Sequence, residues 1–315
     1  MTPPGPRRLG AAALALAGAC GGERNPPPPP AASAPAATLA AASAPALAAA
    51  ASAPAASAPA ALAAAPAAPG PPSASAAAPA APPLAADSPW AELALEGFAP
   101  AVVSLPLGAR GPKPVLLAAH GAGDNPSWQC EWWRNLVQNR AFVLCPRGVP
   151  AGRLPSGNLG YAYRSEPALE REALAALAAL AARYGPYVDE GRMVYAGFSQ
   201  GATFGVAFLA KHAERFRAAV LLEGGSRPAS WPEARARALG RGGLGRVLLG
   251  CGQEGCARGA EQVARRLEAA GLEVRVFHAA GAGHTYWGTA VERETYAAFG
   301  WVVEGDARWG EAEGR

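Results

Sequence analysis

The sequence predicts an α/β fold in which a mostly parallel, doubly wound sheet is flanked by helices on both faces. Three observations support this fold: short apolar runs bounded by turn residues, helical stretches between them, and alternation of the two from residue 114 to residue 303. Strands that are buried on both faces of a parallel sheet read as continuous apolar runs. Alternating strands and helices are typical of doubly wound sheets.

Six apolar runs have the character of buried strands, and helical stretches connect them. The strands are predicted over residues 114–120, 141–146, 191–198, 217–224, 245–252 and 272–279. The helices are predicted over residues 127–139, 166–184, 200–214, 257–270 and 289–303. Residues 93–108 are predicted to add an antiparallel hairpin at the edge of the sheet. In such sheets the functional residues gather at the C-terminal ends of the strands.

The first 20 residues have the order of a secretory signal. Arg7 and Arg8 precede an apolar run to Ala19, which is too short to span a bilayer permanently, and Cys20 and two glycines follow. A cysteine after small residues resembles a bacterial lipoprotein lipobox, in which Cys20 is lipidated, although Ala17 stands where that pattern prefers leucine. The alternative is an ordinary cleaved signal with an incidental cysteine. We therefore expect an exported chain, anchored in the cell envelope through a lipid on Cys20.

Residues 21–89 are predicted to be a disordered tether, and residues 90–315 a single domain. From Pro26 onward the tether consists almost entirely of Ala, Pro and Ser. Such a segment has no large side chains to bury and cannot offset its ordering entropy. The net charge of +4 comes from arginines scattered among acidic residues, without a basic stripe. This pattern argues against nucleic-acid binding.

The pentapeptide G-F-S-Q-G, residues 197–201, lies between a predicted strand and a predicted helix. It matches the nucleophile elbow G-x-S-x-G, in which flanking glycines permit a tight turn around a serine. Ser199 would then project at a helix N-terminus, where backbone N–H groups favour an oxyanion. The pentapeptide predicts that Ser199 is a nucleophile.

Two further motifs follow the order expected for a serine nucleophile. HGAGD, residues 120–124, follows an earlier strand, and its flexible backbone lets the N–H of Ala122 join that of Gln200 in an oxyanion hole. His284, in GAGHTYW, lies after the last strand and is the predicted general base. His120 and His278 are the competing histidines, and both are more simply explained as structural residues.

Together HGAGD, AGFSQGA and GAGH resemble the α/β-hydrolase superfamily, closest to its esterase, acyl-protein thioesterase and dienelactone-hydrolase-like branch. The resemblance covers roughly residues 98–303. It implies an α/β-hydrolase fold, with Ser199 as nucleophile, His284 as base, the N–H groups of Ala122 and Gln200 as oxyanion hole, and no cofactor or metal.

The acidic member of the predicted triad departs from the family pattern. Relatives place an aspartate a few residues after the strand that here ends near Gly250, whereas this chain has Glu254, one position early and one methylene longer. Glu254 is the predicted acid, because a buried acceptor facing the imidazole is what the role requires. Glu223, at the end of the preceding strand, is the alternative, and Glu261 is expected to face solvent.

Four cysteines follow Cys20. An even number in an exported chain favours disulfides, and three pairings are possible. Cys251 and Cys256 flank the acid loop and could close a small ring, while Cys130 and Cys145 could meet across neighbouring elements; four buried thiols are the alternative. Their spacing does not suggest a metal site.

The loop over residues 157–166 is the predicted substrate-facing segment. It is polar and contains glycine, and Tyr161, Tyr163 and Arg164 lie near its tip; Trp287 beyond His284 is a further candidate. The sequence therefore predicts an exported serine esterase or thioesterase that acts on a small ester and forms an acyl-enzyme. The alternatives are a serine peptidase of the same fold and a surface-tethered binding lipoprotein without catalysis.

Overall fold

A computed structural model describes residues 81–154 and 157–310. The predicted signal segment, Cys20 and the predicted tether up to residue 80 lie outside the described residues. In the described part, no helix is both long and apolar enough to cross a membrane.

One large sheet of eight strands forms the centre of the domain. Its strands are β1 (Trp90–Leu95), β2 (Phe98–Ser104), β3 (Lys113–Ala119), β4 (Phe142–Cys145), β7 (Val188–Phe198), β8 (Phe216–Leu222), β9 (Arg246–Cys251) and β10 (Glu273–His278). A separate two-stranded hairpin consists of β5 (Val149–Arg153) and β6 (Leu159–Ala162).

The strand order in the large sheet is β1-β2-β4-β3-β7-β8-β9-β10. β2 pairs antiparallel with both β1 and β4, and every other pairing is parallel. This order, in which β4 lies between β2 and β3 and helices cover both faces, is the α/β-hydrolase arrangement. The predicted fold class and the predicted edge hairpin are confirmed.

Within the described residues, six α-helices cover the two faces of the sheet. They are α1 (Pro126–Val137), α2 (Glu166–Tyr184), α3 (Gln200–Lys211), α4 (Glu233–Gly242), α5 (Glu254–Glu268) and α6 (Ala290–Val303). Side chains of α2, α3, α4 and α5 pack into one hydrophobic core, and those of α1 and α6 into a second. The central strands between the two cores are almost wholly buried, as expected for parallel strands covered on both faces.

The structure differs from the sequence-based expectations in two missed elements and in where the domain begins. The hairpin β5–β6 lies where a loop was predicted, and α4 was not predicted. Residues 82–84, predicted as part of the tether, already pack on the domain: Leu84 is buried, and the Tyr187 hydroxyl donates to the Pro82 carbonyl over 2.8 Å. The domain therefore includes residues before residue 90.

Both predicted disulfides are present in the fold. Cys130 of α1 is bonded to Cys145 at the end of β4, and both residues are fully buried. Cys251 at the end of β9 is bonded to Cys256 in the first turn of α5, with an S–S distance of 2.00 Å. The pairing left open by the sequence is thereby resolved.

Candidate active site

Ser199 occupies a sharp turn between β7 and α3. Its φ angle is +50°, in the left-handed region that non-glycine residues rarely adopt. The flanking glycines are required by sterics, because a Cβ on Gly197 would lie 2.6 Å from the Ala202 nitrogen and one on Gly201 would lie 2.1 Å from the Ala119 oxygen. The predicted elbow geometry is confirmed, and it presents the Ser199 hydroxyl at the N-terminus of α3.

His284 lies beside the Ser199 hydroxyl. Its Nε2 atom is 2.8 Å from Ser199 Oγ, and its ring packs against Phe198 with a centroid separation of 5.2 Å. The side chain is 43% exposed, so the imidazole is open to solvent on one side. The two competing histidines are elsewhere: His278 ends the edge strand β10, and His120 is buried.

The carboxylate next to His284 is that of Glu223. Glu223 Oε2 lies 3.3 Å from His284 Nδ1, and its side chain is fully buried. Its second oxygen, Oε1, accepts a hydrogen bond from the Gly252 backbone N–H. Glu223 directly follows β8, and its own N–H donates to the Gly250 carbonyl over 2.9 Å. A buried carboxylate is thus fixed against the imidazole nitrogen that does not face Ser199.

The prediction that Glu254 is the acid is wrong. Glu254 is the first residue of α5, its side chain is 76% exposed, and it forms an ion pair with Arg258 one helical turn later. β9 ends at Cys251, so the chain has already turned into the helix at residue 254 and directs the carboxylate to solvent. The alternative that the sequence left open, Glu223, occupies the position instead.

The segment that carries Ala122 passes directly beside the elbow. A Cβ on Gly121 would lie 2.8 Å from the Phe198 ring and 3.2 Å from Ser199 Cβ. The Gly201 N–H donates to the His120 carbonyl over 3.0 Å, which joins the start of α3 to this segment. The N–H groups of Ala122 and Gln200 therefore belong to two segments that meet at Ser199, as the predicted oxyanion hole requires.

The hairpin β5–β6 connects both of these segments. The Gly123 N–H donates to the Tyr161 carbonyl and the Tyr161 N–H donates to the Asp124 carbonyl, each over 2.8 Å. The side chain of Gln200 accepts from the Tyr163 N–H over 2.8 Å and donates to the Tyr163 carbonyl over 3.1 Å. Sequence reasoning missed this role, although Gly157 and Asn158 between two short runs were a possible hairpin signal.

A buried polar network lies beneath the oxyanion segment. His120 is fully buried, and its ring nitrogens lie 2.8 Å from the carbonyl oxygens of Gly121 and Arg147. Its ring stacks on Tyr163 at 4.7 Å. Glu172 accepts hydrogen bonds from backbone N–H groups, including that of Arg147, and burial raises its pKa. These buried contacts indicate that His120 is a structural residue, as expected.

Asp124 and Tyr286 connect the oxyanion segment to the histidine loop. The Tyr286 hydroxyl donates to Asp124 Oδ2 over 3.0 Å, and Asp124 Oδ1 accepts from the Asn125 N–H over 2.7 Å. Burial raises the pKa of Asp124, and burial together with the Asp124 charge raises the pKa of Tyr286 far above its usual range. The Tyr286 ring also packs against Phe198 at 4.6 Å.

The four predicted substrate-lining residues have different environments. Tyr163 is only 3% exposed and donates its hydroxyl proton to the Pro146 carbonyl, so the prediction that it faces substrate is wrong. Tyr161 is half-buried, with the Arg147 guanidinium over its ring. Arg164 is exposed, and Trp287 is 45% exposed three residues beyond His284. Arg164 and Trp287 remain accessible candidates for substrate contact.

No protein-family model matches the chain, and no curated protein matches it. Solved structures with a similar fold include the fluorophosphonate-binding serine hydrolase F of Staphylococcus aureus, at 14% identity and a TM-score of 0.47, covering 65% of this chain and 92% of that one. A dienelactone hydrolase-like promiscuous phosphotriesterase from metagenomic libraries is 19% identical, with a TM-score of 0.48 and coverage of 67% and 94%. The Bacillus cereus carboxylesterase is 22% identical, with a TM-score of 0.42 and coverage of 62% and 92%.

These structural neighbours include serine hydrolases and esterases. Identities and TM-scores this low do not identify an activity. The chemistry proposed for this chain therefore depends on the geometry of Ser199, His284 and Glu223.

Proposed function

We propose that the domain is a serine hydrolase that cleaves carboxylic esters or thioesters through an acyl-enzyme intermediate. The observation that supports this most strongly is the chain of contacts from Ser199 Oγ to His284 Nε2 and from His284 Nδ1 to Glu223 Oε2. A hydroxyl, an imidazole and a buried carboxylate in this order form a nucleophile, a general base and the group that orients the base.

In the acylation step, Ser199 Oγ attacks the carbonyl carbon while His284 Nε2 accepts the hydroxyl proton. Glu223 accepts a hydrogen bond from Nδ1–H, which fixes the ring orientation and stabilises the imidazolium. Negative charge develops on the carbonyl oxygen, and the N–H groups of Ala122 and Gln200 are the donors proposed to stabilise it. The tetrahedral intermediate collapses when its bond to the leaving group breaks, and His284 protonates the departing alcohol or thiol.

Deacylation repeats the sequence with water. His284 Nε2 removes a proton from a water molecule, whose oxygen attacks the acyl carbonyl. Collapse breaks the bond to Ser199 Oγ, which recovers the proton from His284 and releases the carboxylic acid. Because the His284 imidazole is partly exposed, water can reach it without a large movement of the chain. Small, soluble esters are the proposed substrates.

A peptidase and a non-catalytic binding protein are the competing functions. The binding-protein alternative depended on a displaced acid, and the position of Glu223 against His284 removes that support. A peptidase uses the same triad, and a hydrolysis series on esters and on peptide substrates distinguishes the two.

We further propose that the chain is exported and held at a membrane by a lipid on Cys20. The support is the order of residues 1–22 together with two disulfides, which persist in oxidising compartments. Fatty-acid labelling of the native chain and of Cys20→Ser in a bacterial host tests this proposal. Loss of label and release from the membrane fraction in the variant are expected, whereas an unlabelled native chain would refute the anchor.

Hydrolysis of p-nitrophenyl esters from acetate to long-chain acyl groups tests the catalytic proposal. We expect turnover of short-chain esters by the native protein, and loss of about 10⁴-fold or more in kcat for Ser199→Ala, since the nucleophile is removed. A dipeptide anilide series run alongside tests the peptidase alternative. Turnover that persists in Ser199→Ala, or a folded native protein without turnover of any ester, would refute a serine esterase.

A further inference from the structure

The disulfide between Cys251 and Cys256 closes a ring of six residues, 251–256, which we call the acid-side ring. It joins the last residue of β9 to the first turn of α5. The acid-side ring contains Glu254, whose side chain is exposed and forms its ion pair with Arg258 rather than with His284. Its backbone, however, contacts both His284's partner Glu223 and the loop that carries His284.

The contact with the acid is direct. The N–H of Gly252, inside the acid-side ring, donates to Glu223 Oε1, while Oε2 of the same carboxylate faces His284 Nδ1. Gly250, immediately before the ring, accepts the Glu223 backbone N–H. The position of residues 250–252 therefore determines which way the carboxylate is rotated.

The contact with the histidine loop is equally close. The Ala279 N–H donates to the Cys251 carbonyl over 2.7 Å. A Cβ on Gly252 would lie 2.3 Å from the Gly283 carbonyl oxygen, so this stretch of the ring packs against the residue that precedes His284. A shift of residue 252 would thus move both partners of the Glu223–His284 contact.

The two disulfides differ in how accessible they are. Cys130 and Cys145 are both fully buried. Cys256 is half-buried, and the ring residues Gln253, Glu254 and Gly255 are exposed. A dithiol in solution can therefore reach the acid-side ring while the Cys130–Cys145 bridge remains protected by the folded core.

We propose that the Cys251–Cys256 bridge is a positioning element for the Glu223–His284 pair, and that its reduction by a dithiol reversibly slows hydrolysis. This inference rests on the proposed esterase function. One thiolate of the reductant attacks the Cys256 sulfur and expels the Cys251 thiolate; the second thiol of the reductant then displaces Cys256. The protein gains two electrons and two protons, and the reductant becomes a cyclic disulfide.

Positioning, rather than global stability, is the expected role because the bridged loop is short. The stabilisation that a disulfide gives by restricting the unfolded chain grows with loop length, so a separation of 5 residues gives the smaller stabilisation of the two bridges. The separation of 15 between Cys130 and Cys145 gives more. Opening the acid-side ring instead returns backbone freedom to the residues that hold the carboxylate.

The test uses the full folded chain with dithiothreitol, and mass spectrometry of alkylated peptides to count the thiols. When only Cys251 and Cys256 are reduced, we expect kcat for p-nitrophenyl acetate to fall about tenfold or more with little change in KM, because misplacement of a catalytic partner acts on the chemical step. Oxidation should restore the rate. The double variant Cys251→Ala/Cys256→Ala should show the same low kcat and no response to reductant.

Two comparisons separate positioning from a general structural effect. Cys130→Ala/Cys145→Ala should keep both the native kcat and the response to dithiothreitol. In the Glu223→Gln background, opening the ring should cause a much smaller loss than in the native protein, because the carboxylate orientation it protects is already absent.

Unchanged kcat with both ring thiols free overturns the proposal while leaving the esterase function intact. The proposal is also overturned if opening the ring lowers kcat by the same factor in the Glu223→Gln background as in the native protein. It is overturned as well if the variants lose kcat in proportion to the decrease in their thermal midpoints. If the native, oxidised protein hydrolyses no ester, the proposed function itself has failed.

Discussion

The nucleophile side and the acid side of the site are constrained in different ways. Around Ser199, backbone atoms lie so close that glycine is required at both flanking positions, and the serine itself occupies the strained turn. On the acid side, glycines are crowded as well, for example Gly252 against Gly283. Nothing in that crowding determines which nearby glutamate faces the histidine.

This difference shows which catalytic residues can be recognised from their neighbours in the sequence. A nucleophile in an elbow is recognisable because sterics restrict its neighbours in the chain. A carboxylate that orients a histidine needs only to be buried and to point at one nitrogen, and the end of more than one strand can provide that. Glu223 and Glu254 both follow strands of the same sheet, and only the fold distinguishes them.

Outside the three residues of the triad, the largest effect that the comparison predicts is for glycine replacements. Gly201→Ala forces a Cβ to within 2.1 Å of a backbone oxygen, so the elbow must shift. We expect kcat to fall about 100-fold or more and the thermal midpoint to drop. Gly255→Ala, at an acid-side position with no atom near the added Cβ, is the matched control and should behave like the native protein. Equal activity of the two variants would contradict the steric account.

The next effect concerns the support of the oxyanion hole. Gln200→Ala removes both side-chain hydrogen bonds to the backbone of Tyr163, so the segment directly after β6 no longer holds the start of α3. We expect kcat to fall about tenfold with little change in KM, on the scale of one or two hydrogen bonds. Gln253→Ala, which removes an exposed side chain on the acid side, should leave kcat unchanged. A change in KM alone would assign Gln200 to substrate binding instead.

A smaller loss is expected when the connection between the oxyanion segment and the histidine loop is cut. Tyr286→Phe keeps the ring contacts and leaves Asp124 Oδ2 without its donor. We expect a loss of about 1–3 kcal/mol in the free energy of unfolding and a several-fold lower kcat. Tyr187→Phe removes a hydroxyl that bonds Pro82 at an exposed position and should leave kcat unchanged. Similar kinetics for the two variants would refute the connection.

The smallest effect is predicted for Glu254. Glu254→Gln removes an exposed ion pair with Arg258, which contributes at most about 0.5 kcal/mol to the free energy of unfolding. Ester hydrolysis should remain at the native rate when it is measured alongside the other variants. A large loss of kcat would restore Glu254 as the acid and overturn the arrangement seen here.

Much of the fold was readable from the sequence because its signals are local. The central strands are continuous apolar runs, and the elbow around Ser199 has a defined spacing of glycines. The hairpin β5–β6 was missed because its strands are short and β5 is mostly exposed, which leaves no apolar alternation to detect. The helix α4 was missed because few of its side chains are buried.

The acid assignment failed for a non-local reason. Whether a carboxylate reaches His284 depends on where three loops meet at the end of the sheet, after β8, β9 and β10. The sequence places a glutamate after each of the first two strands and carries no signal for which one turns inward. The preference for Glu254 over Glu223 came from the family pattern, which this chain does not follow.

The most direct test of the triad is the rate at which a fluorophosphonate probe modifies the native protein, Glu223→Gln and Glu254→Gln, with the adduct located by peptide mass. The structure predicts one adduct, on Ser199, a rate about 10³-fold or more lower in Glu223→Gln, and a native rate in Glu254→Gln. A folded native protein without an adduct on Ser199, or equal rates in the native protein and Glu223→Gln, would contradict the assignment.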